Sequence, residues 1–383
     1  MAVSATVAVA GAGLAGLAAA WELSRGGATV VVLDAVRRPG GVVVTERRDG
    51  FVVEGGPDGF LAAEPDIQDL AREIGIGAHL VDQLSSGSSV WTGGRLEPLA
   101  EGQAAALLGI QLPPDVGAQH AAPLHEGFRS FASGMAEIVD ALVGRLAPSI
   151  RPAQGVTGLA PATRGWRLSL SGGSTLEAEA VILALPAWIA ARLVAAAGVP
   201  AARHLDEVIY YPTTTVSLAY REDQLAAPLA GTGFVAAPEL AESGAALRAC
   251  SYSWLKYPGR APPGHALLRA FVGPVDGDPA AAAHGELARI LGIRGSPLWS
   301  RAFTWPRGLP RYKPGHARHV AAVRERLARL PPLAIAGAGF DGAGVSACVK
   351  SGRAAARGIL ERLGVNPGPS ARGQPRGDLP GLD

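Results

Sequence analysis

The chain is poor in the residues that would mark several common protein classes. Its 383 residues include two cysteines, Cys250 and Cys348, far apart and without a CxxC or metal-binding spacing. This usage predicts a reducing compartment, the cytoplasm, with no structural disulfide and no metal site. Aromatic residues make up only 5% of the chain, and the formal net charge is +2. With no basic block or aromatic-interleaved basic stripe, nucleic-acid binding is not expected.

Long apolar runs are also scarce. Val181–Val199 is nearly long enough to cross a bilayer, but Pro186 and Arg192 interrupt it. This run is better interpreted as a buried strand, Val181–Leu185, followed by a short helix. The apolar N-terminus lacks a basic region, and its apolar run already belongs to a strand, so it does not resemble a signal peptide. We therefore expect no transmembrane segment.

What is present begins with Thr6–Asp34, which has the pattern of one βαβ unit. An alternating strand leads into GAGLAG (Gly11–Gly16), an Ala/Leu-rich helix and a second strand, Thr29 to Leu33. A strand, a glycine turn, a helix and a strand in about thirty residues is the usual length of such a unit. The pattern predicts a dinucleotide site, and the alternative is an ordinary tight turn in another α/β domain.

The glycines of this turn have separate physical roles. Gly11 permits the tight turn, Gly13 lets the backbone approach a pyrophosphate, and Gly16 lets the helix pack closely. The helix N-terminus offers free N–H groups to phosphate. Asp34 follows about 20 residues later, at the spacing where a carboxylate accepts hydrogen bonds from a ribose diol. An acid there disfavours a 2′-phosphate, so NADP is not expected.

Further glycine-rich segments extend this motif. Gly40-Gly41 lets a loop cross a cofactor's phosphates closely, which favours FAD over NAD. Phe51–Phe60 is a short strand entering a Gly/Pro turn, which either presents N–H groups to a ligand or is a connector. Near the end, a strand from Leu333 enters a turn with four glycines, and a helix begins near Ser346, a candidate N-cap. Either the chain returns there to the same cofactor, where the helix dipole would favour a reduced flavin, or the turn is purely structural.

The rest of the chain predicts an α/β fold. Its elements are a helix at Pro65–Leu80, a hairpin at Val90–Leu99, a helix within Gly127–Leu146, antiparallel strands within Ile150–Ala184 that return to the parallel sheet, an antiparallel sheet over Ile209–Phe271, a helix at Asp278–Leu291, a strand at Leu298–Trp305, a turn at Arg307–Tyr312 and a helix at Ala317–Leu330.

These segments resemble the flavin amine-oxidase superfamily and, within it, the protoporphyrinogen/coproporphyrinogen oxidases of haem synthesis. VEGGPDGF (Val53–Phe60) and the PGRAP run within Lys256–Gly273 are the more specific matches; the first glycine motif is generic to flavoproteins. Similar family segments run in order along the chain: GGRLEPLAEG, SGMAEIVDAL, KYPGRAPPGHALLRAFVG, WPRGLPRYKPGH and AGAGFDGAGVSACVKSGRAAA.

The resemblance implies an FAD-binding Rossmann-like domain built from discontinuous segments, with an α+β substrate domain containing an antiparallel sheet. The FAD-binding parts are 1–85, 127–205 and 326–364, the substrate parts are a shortened 86–126 and 206–325, and 365–383 is a disordered tail. The implied FAD-binding residues are Gly11, Ala12, Gly13, Leu14, Ala15, Gly16, Asp34, Ala35, Gly41, Gly56, Pro57, Asp58, Gly59, Val156, Gly339, Gly344 and Val345.

The implied reaction removes hydride from a porphyrinogen in successive steps, with O₂ reoxidising the flavin and H₂O₂ released. No protein nucleophile is required, because the cofactor carries the chemistry. His265 and His316 each follow a glycine in a loop, where a histidine bonded to backbone is the simpler interpretation, so no catalytic base is named. Arg95, Lys256 and Arg260 are candidate partners for substrate propionates, with a solvated surface role as the alternative.

The chain departs from the family pattern in its middle. Leu99–Phe128 replaces a much longer, mainly helical segment of the family. The sequence therefore does not determine the identity of the substrate or whether the protein makes a weak peripheral contact with a membrane. It does not determine the oligomeric state either. Val42, Ala347 and Ala317 stand where the family commonly has a basic, an acidic and an aromatic residue. Two alternatives therefore remain: an oxidase or desaturase of an amine or polyene, and a flavin-binding protein without catalysis. An amine oxidase is expected to need an aromatic cage, which so few aromatic residues do not reveal.

Overall fold

A computed structural model describes residues 5–100, 103–104 and 127–365. The strands are β1 Thr6–Ala10, β2 Thr29–Leu33, β3 Thr45–Arg48, β4 Phe51–Glu54, β5 Phe60–Leu61, β6 Leu80–Asp82, β7 Ser88–Trp91, β8 Leu96–Leu99, β9 Phe128–Phe131, β10 Ile150–Arg151, β11 Val156–Pro161, β12 Trp166–Leu170, β13 Thr175–Ala178, β14 Ala180–Leu183, β15 Ile209–Arg221, β16 Gly233–Ala236, β17 Leu247–Tyr252, β18 His265–Val272, β19 Trp299–Arg311 and β20 Leu333–Ile335. The helices are α1 Leu14–Arg25, α2 Pro65–Glu73, α3 Ala136–Leu146, α4 Ala187–Ala196, α5 Pro238–Glu242, α6 Ser253–Lys256, α7 Pro279–Leu291, α8 His316–Leu327, α9 Ala338–Asp341 and α10 Val345–Arg362.

A parallel sheet with strand order β10-β2-β1-β14-β20 organises the molecule. Side chains alternate between its two faces, as in any strand. In β1, Val7 and Val9 join a core with α1, α2, α3 and α10, whereas Ala8 and Ala10 join a core with β12, α4 and α8. Because both faces are covered, these strands are apolar except at their ends, where Thr6, Thr29 and Arg151 lie.

The strands of this sheet come from distant parts of the sequence. β1 and β2 precede a long excursion, β10 and β14 lie in the middle of the chain, and β20 is near the end. This confirms the predicted α/β fold assembled from discontinuous segments. The predicted antiparallel insert is also present, as the three-stranded sheet β11-β12-β13. The exact domain boundaries stay a prediction.

A second, seven-stranded sheet has the order β19-β15-β18-β17-β16-β7-β8. All neighbouring pairs are antiparallel except β16 and β7. The predicted hairpin near residues 90–99 is β7-β8, and it extends the edge of this sheet. The sheet therefore contains strands that precede and strands that follow residues 105–126, which lie outside the described part.

The predicted turn at Arg307–Tyr312 is wrong. β19 continues to Arg311, because it pairs with the long strand β15 past an irregularity near Trp305, with Tyr210 opposite Pro310. β19 is an edge strand, where a proline that lacks an N–H group can be accommodated. Prolines inside this segment therefore did not end the strand.

Two other predicted elements are shorter than expected or displaced. The helix predicted at Pro65–Leu80 ends at Glu73, since Gly75 has a positive φ of 77° and breaks the helical geometry. The run Val42–Glu46 is strand-like in sequence, but the strand β3 begins only at Thr45. The apolar run at Val181–Val199 contains a buried strand and the helix α4, as predicted. Within the described residues, no helix is long and apolar enough to cross a membrane. The tail predicted to be disordered falls almost wholly on residues 366–383, outside the described residues.

Candidate cofactor site and adjoining cleft

The turn between β1 and α1 requires two of its glycines for packing. Gly11 has a φ of +101°, and a Cβ there would overlap the carbonyl oxygen of Ala184 and lie 3.0 Å from its carbonyl carbon. A Cβ on Gly16 would overlap the Gly11 carbonyl oxygen. A Cβ on Gly13 would meet nothing within 4 Å. The middle glycine therefore faces open space at the N-terminus of α1, where a phosphate can approach.

Asp34, just after β2, is held beside this turn. Its Oδ2 accepts from the backbone N–H of Ala12 at 2.6 Å, and its Oδ1 accepts from that of Val36 at 2.9 Å. An ionised carboxylate has about four acceptor positions, so ribose hydroxyls can still donate to it. A Cβ on Gly155 would lie 2.8 Å from the Ala35 Cβ, which brings the start of β11 at Val156 to this end of the sheet.

The Gly40-Gly41 loop crosses the first glycine turn. The N–H of Gly40 donates to the Ala12 carbonyl at 2.7 Å, and a Cβ on Gly41 would lie 3.4 Å from the Gly13 Cα. The Arg38 guanidinium fixes this loop by donating to the carbonyls of Val43, at 3.0 Å, and Gly41. Sequence reasoning missed Arg38, because its partners are backbone groups that leave no sequence signal.

The VEGGPDGF turn packs against the same loop. A Cβ on Gly56 would overlap the Val42 carbonyl oxygen and lie 2.9 Å from the Val42 carbonyl carbon. The Gly56 carbonyl accepts from the guanidinium of Arg269, a residue of β18 that is 4% exposed. The connector interpretation is thus incomplete: this turn joins the Gly40-Gly41 loop to the antiparallel sheet.

Buried and half-buried charges surround this turn. Asp58 Oδ2 lies 2.9 Å from Lys256 Nζ. Burial alone would raise the pKa of Asp58, but the charges of Lys256 and Arg269 outweigh it and lower the pKa to about 2. Glu54 is 5% exposed and accepts from the Met135 N–H at 2.8 Å. Its pKa is raised by burial, against the opposing charge of Arg260.

The three candidate propionate partners lie in different settings. Arg260 is 1% exposed and donates to Ser130 Oγ at 2.7 Å and to the Phe131 carbonyl at 3.1 Å, so binding substrate would break existing bonds. Lys256 is paired with Asp58. Arg95 lies at the tip of the β7-β8 hairpin, largely exposed and 2.9 Å from Glu97. Their roles toward substrate stay predictions.

The second glycine turn, between β20 and α10, approaches the first. Gly337 has a φ of +111°, and a Cβ there would lie 3.4 Å from the Ala15 Cβ. A Cβ on Gly344 would meet nothing within 4 Å, and Gly344 is the N-cap of α10. The predicted N-cap at Ser346 is therefore wrong. Helical geometry starts at Val345, which puts Ser346 inside the first turn, 2% exposed and with its hydroxyl unpartnered among the described residues.

A side-chain network that sequence reasoning missed holds this second turn. Ser351 Oγ accepts from the Gly337 N–H at 2.8 Å and donates to Asp341 Oδ2 at 2.5 Å. Arg324 donates to both Asp341 oxygens, at 2.6 and 2.8 Å. His316 Nε2 lies 3.2 Å from the Phe340 carbonyl oxygen, and His265 Nδ1 lies 3.0 Å from the Pro263 carbonyl oxygen. Both histidines thus have a backbone partner, as their simpler interpretation predicts.

An open cleft of about 510 Å³ adjoins these turns and is lined by Trp188, Trp305, Pro306 and Arg307. Trp188 lies at the start of α4, just beyond the carboxyl end of β14, and the other three residues belong to β19. Ligands of parallel α/β sheets bind beyond the carboxyl ends of the strands. The cleft and the two glycine turns therefore occupy the edge of the sheet where a cofactor and a substrate can meet.

The arrangement fits FAD. Two helix N-termini whose cap glycines face open space suit anionic parts of the cofactor, and the Asp34 carboxylate suits its ribose. A Cβ at Gly13 or Gly344 would fill that space. Which individual residues contact the cofactor stays a prediction. The open space beside Gly13 and Gly344 is a property of the fold.

Comparisons with known proteins support a flavin cofactor. A model of the flavin containing amine oxidoreductase family matches residues 14–118 and 84–360. Coproporphyrinogen III oxidases from Bacillus subtilis (strain 168) and Propionibacterium freudenreichii are 23% and 26% identical, over 93% and 92% of this chain and 98% and 90% of theirs. Human protoporphyrinogen oxidase is 29% identical over 55% of this chain and 46% of its own.

Solved structures show the same fold. A protein from Exiguobacterium sp. 255-15, provisionally named a protoporphyrinogen oxidase, has a TM-score of 0.77 and 26% identity, with 94% of this chain and 99% of that chain covered. Reduced UDP-galactopyranose mutase has a TM-score of 0.71 at 15% identity, with 95% of each chain covered, and shows the fold alone. The resemblance noted in the sequence is thereby confirmed. Because the family match extends from the first helix of the parallel sheet to its last, the chain belongs to the flavin containing amine oxidoreductase family and is an FAD-dependent oxidoreductase.

Proposed function

We propose that this protein oxidises a porphyrinogen, either coproporphyrinogen III or protoporphyrinogen IX, to the corresponding porphyrin in haem synthesis. One observation carries the proposal. The similarity to coproporphyrinogen III oxidases runs end to end, over 93% of this chain and 98% of the Bacillus subtilis relative. Similarity confined to the glycine turns would support only a shared cofactor, whereas this similarity includes the antiparallel sheet that forms one wall of the cleft.

The residues that hold the cofactor are part of the proposal. FAD, when bound, accepts hydride from the substrate in successive two-electron steps and passes the electrons to an acceptor. The turn residues Gly11 to Gly16 would contact its phosphates, with the Gly41 and Gly56–Gly59 segments beside them. Asp34, Ala35 and Val156 would lie at the adenosine end, and Gly339, Gly344 and Val345 at the flavin end. The protein then supplies orientation and a shaped cleft rather than a nucleophile.

The chain is shorter than its relatives. The alignment with the Bacillus subtilis protein is 466 residues long, more than the 383 residues of this chain, so that relative carries residues without a counterpart here. We place the missing chain at Leu99–Phe128, where the sequence departs from the family pattern. The part of the substrate domain that Leu99–Phe128 contributes would then be smaller than in that relative, and the cleft would be correspondingly more open.

The acceptor and the compartment complete the proposal. We propose O₂ as electron acceptor, with H₂O₂ released, and a location in the cytoplasm with weak peripheral contact to a membrane. Both cysteines of the chain are free in the structure, which suits a reducing compartment.

Anaerobic reduction of the flavin tests this function. The purified, FAD-loaded protein is mixed without oxygen with coproporphyrinogen III, protoporphyrinogen IX or a panel of amines, and the visible absorbance of oxidised flavin is followed. We expect bleaching by a porphyrinogen and, after oxygen is admitted, recovery of the band with stoichiometric H₂O₂. Bleaching only by an amine would favour another reaction of the same family. A protein without bound FAD would contradict both.

A further inference from the structure

Arg307 lines the cleft, and no acidic side chain among the described residues is paired with it. Its guanidinium carbon lies 4.2 Å from the ring centroid of Trp188, in a cation–π arrangement. Within the described part of the chain, no salt bridge involves Arg307, whereas Arg301 of the same strand is paired with Glu46 at 2.7 Å. The indole of Trp188 thus holds the Arg307 guanidinium in place, and no carboxylate of the described residues pairs with the N–H edge of that guanidinium.

The cleft is joined to the proposed cofactor site on both sides. On one wall, Trp305 Nε1 donates to the Gly55 carbonyl at 2.8 Å, at the start of the VEGGPDGF turn. On the other wall, the N–H of Ala187, next to Trp188, donates to Tyr210 Oη at 2.9 Å. A Cβ on Gly339 would lie only 2.7 Å from that same hydroxyl. A molecule lying in the cleft is therefore adjacent to the VEGGPDGF turn and to the turn between β20 and α10.

We propose that Arg307, held on Trp188, binds a carboxylate side chain of the substrate and selects acidic substrates over amines. The inference rests on the proposed function, because it names residues that would recognise the propionate groups of a porphyrinogen. It differs from the sequence-based candidates, since Arg260 is buried among protein partners and Lys256 is paired with Asp58.

Two physical arguments support this assignment. A guanidinium stacked on an aromatic face still presents N–H donors along its edge, in the geometry that a carboxylate accepts in bidentate fashion. The faces of Trp188 and Trp305 provide flat apolar surface for a large ring system. A protonated amine would instead meet the like charge of Arg307, and this repulsion disfavours its binding.

The test measures binding of a stable product rather than turnover alone. Coproporphyrin III and its tetramethyl ester, which lacks carboxylates, are titrated in the same detergent into FAD-loaded wild-type protein and Arg307→Gln. We expect the Kd for coproporphyrin III to rise about 10- to 100-fold in Arg307→Gln, as for a lost hydrogen bond to a charged group, with no change for the ester. Arg307→Lys should recover part of the loss, because it keeps the charge but not the fork.

Arg326→Gln is the matched control. Arg326 is exposed in the last turn of α8, where it donates to the Ala322 carbonyl, and its replacement removes the same charge. It should leave both Kd values unchanged. In steady-state assays with coproporphyrinogen III, Arg307→Gln should raise KM and leave kcat within a few-fold, since the carboxylate is remote from the reacting atoms.

The outcomes separate this inference from the proposed function. Equal Kd values for wild type and Arg307→Gln, or equal losses for acid and ester, would overturn the inference even where a porphyrinogen reduces the flavin. Arg307-dependent binding of coproporphyrin III in a protein whose flavin no porphyrinogen reduces would uphold the inference and overturn the function. A wild-type protein that neither binds the porphyrin nor is reduced would contradict both.

Discussion

Gly352 of α10 lies directly against the backbone of Ala15 in α1: a Cβ on Gly352 would overlap the Ala15 carbonyl oxygen and lie 2.9 Å from the carbonyl carbon. The two helices whose N-termini frame the proposed cofactor site are thus in contact through a residue without a side chain. Gly352→Ala should force them apart. We expect a loss of about 2 kcal/mol in the free energy of unfolding, measured by chemical denaturation. The added Cβ meets backbone atoms of Ala15, which cannot move aside as a flexible side chain can.

Gly358→Ala in the same helix is the control for that substitution. A Cβ there meets nothing within 4 Å, so the variant should keep or raise the unfolding free energy by up to about 1 kcal/mol through helix propensity. The Gly352 variant should also retain less FAD through gel filtration, since α1 and α10 would no longer hold their relative position. Equal stability of the two variants would show that the helices can adjust.

Gly13→Ala should separate cofactor binding from folding. The methyl group would enter the open space at the N-terminus of α1, and the φ of Gly13 is −70°, which alanine adopts readily. We expect an unfolding free energy of the apoprotein within about 1 kcal/mol of wild type. The Kd for FAD, from quenching of flavin fluorescence, should rise about tenfold or more, because phosphate could no longer approach the helix N-terminus.

Gly16→Ala in the same turn should behave in the opposite way. Its Cβ would overlap the Gly11 carbonyl oxygen inside the protein, so the apoprotein itself should be destabilised. If Gly13→Ala bound FAD with the wild-type Kd, the pyrophosphate would have to bind elsewhere than at Gly13.

Local patterns made the first half of the site predictable. The roles of Gly11 and Gly16 follow from a strand, a turn and a helix within about thirty residues, whose geometry depends little on the rest of the chain. The second glycine turn was also recognised, but its helix start was displaced to Ser346. A side-chain cap is a default expectation, and here the N-cap is Gly344, which leaves the helix end open.

Long-range contacts were the part that the sequence could not predict. The Ser351–Asp341–Arg324 network and the stacking of Arg307 on Trp188 join residues from separate elements, and no local pattern signals them. The prolines and glycine of 307–312 predict a turn, yet the strand β19 resumes its pairing with β15 at Leu309 after an irregularity that contains Arg307. Since Arg307 was thereby assigned to a connector, its place in a cleft wall was missed.

Cys348 should be unreactive in the folded protein although it is only partly buried. Burial raises the pKa of its thiol to about 12, and the Sγ–H group lies 3.9 Å from the Gly342 carbonyl oxygen. Alkylation by iodoacetamide at neutral pH should be about a hundredfold or more slower than that of glutathione, because the thiolate is the reacting species. Mass spectrometry resolves Cys348 from Cys250, and both should react at the ordinary rate in denaturant.

The ion pair of Asp58 with Lys256 should appear in the pH dependence of stability. The folded-state pKa of Asp58 is about 2 against an ordinary 3.8, so between these values the unfolded chain binds more protons, and stability falls as pH falls. In Asp58→Asn this contribution is absent. The difference in unfolding free energy between wild type and Asp58→Asn should therefore shrink by about 2 kcal/mol as pH falls from 5 to 2, by denaturant titration.

Glu54, in the same segment, provides a control of opposite sign. Its pKa is raised above 4.5 by burial, so the folded protein binds this proton more readily than the unfolded chain. Stability contributed by Glu54 should therefore rise as pH falls from its raised pKa toward 4.5, and Glu54→Gln should remove that slope while leaving the acid limb below pH 4 intact. The opposite outcome would reverse the two assignments. If Asp58→Asn changed stability only above pH 4.5 and Glu54→Gln changed it only below pH 4, the charges of Lys256 and Arg269 would have to act on Glu54 rather than on Asp58.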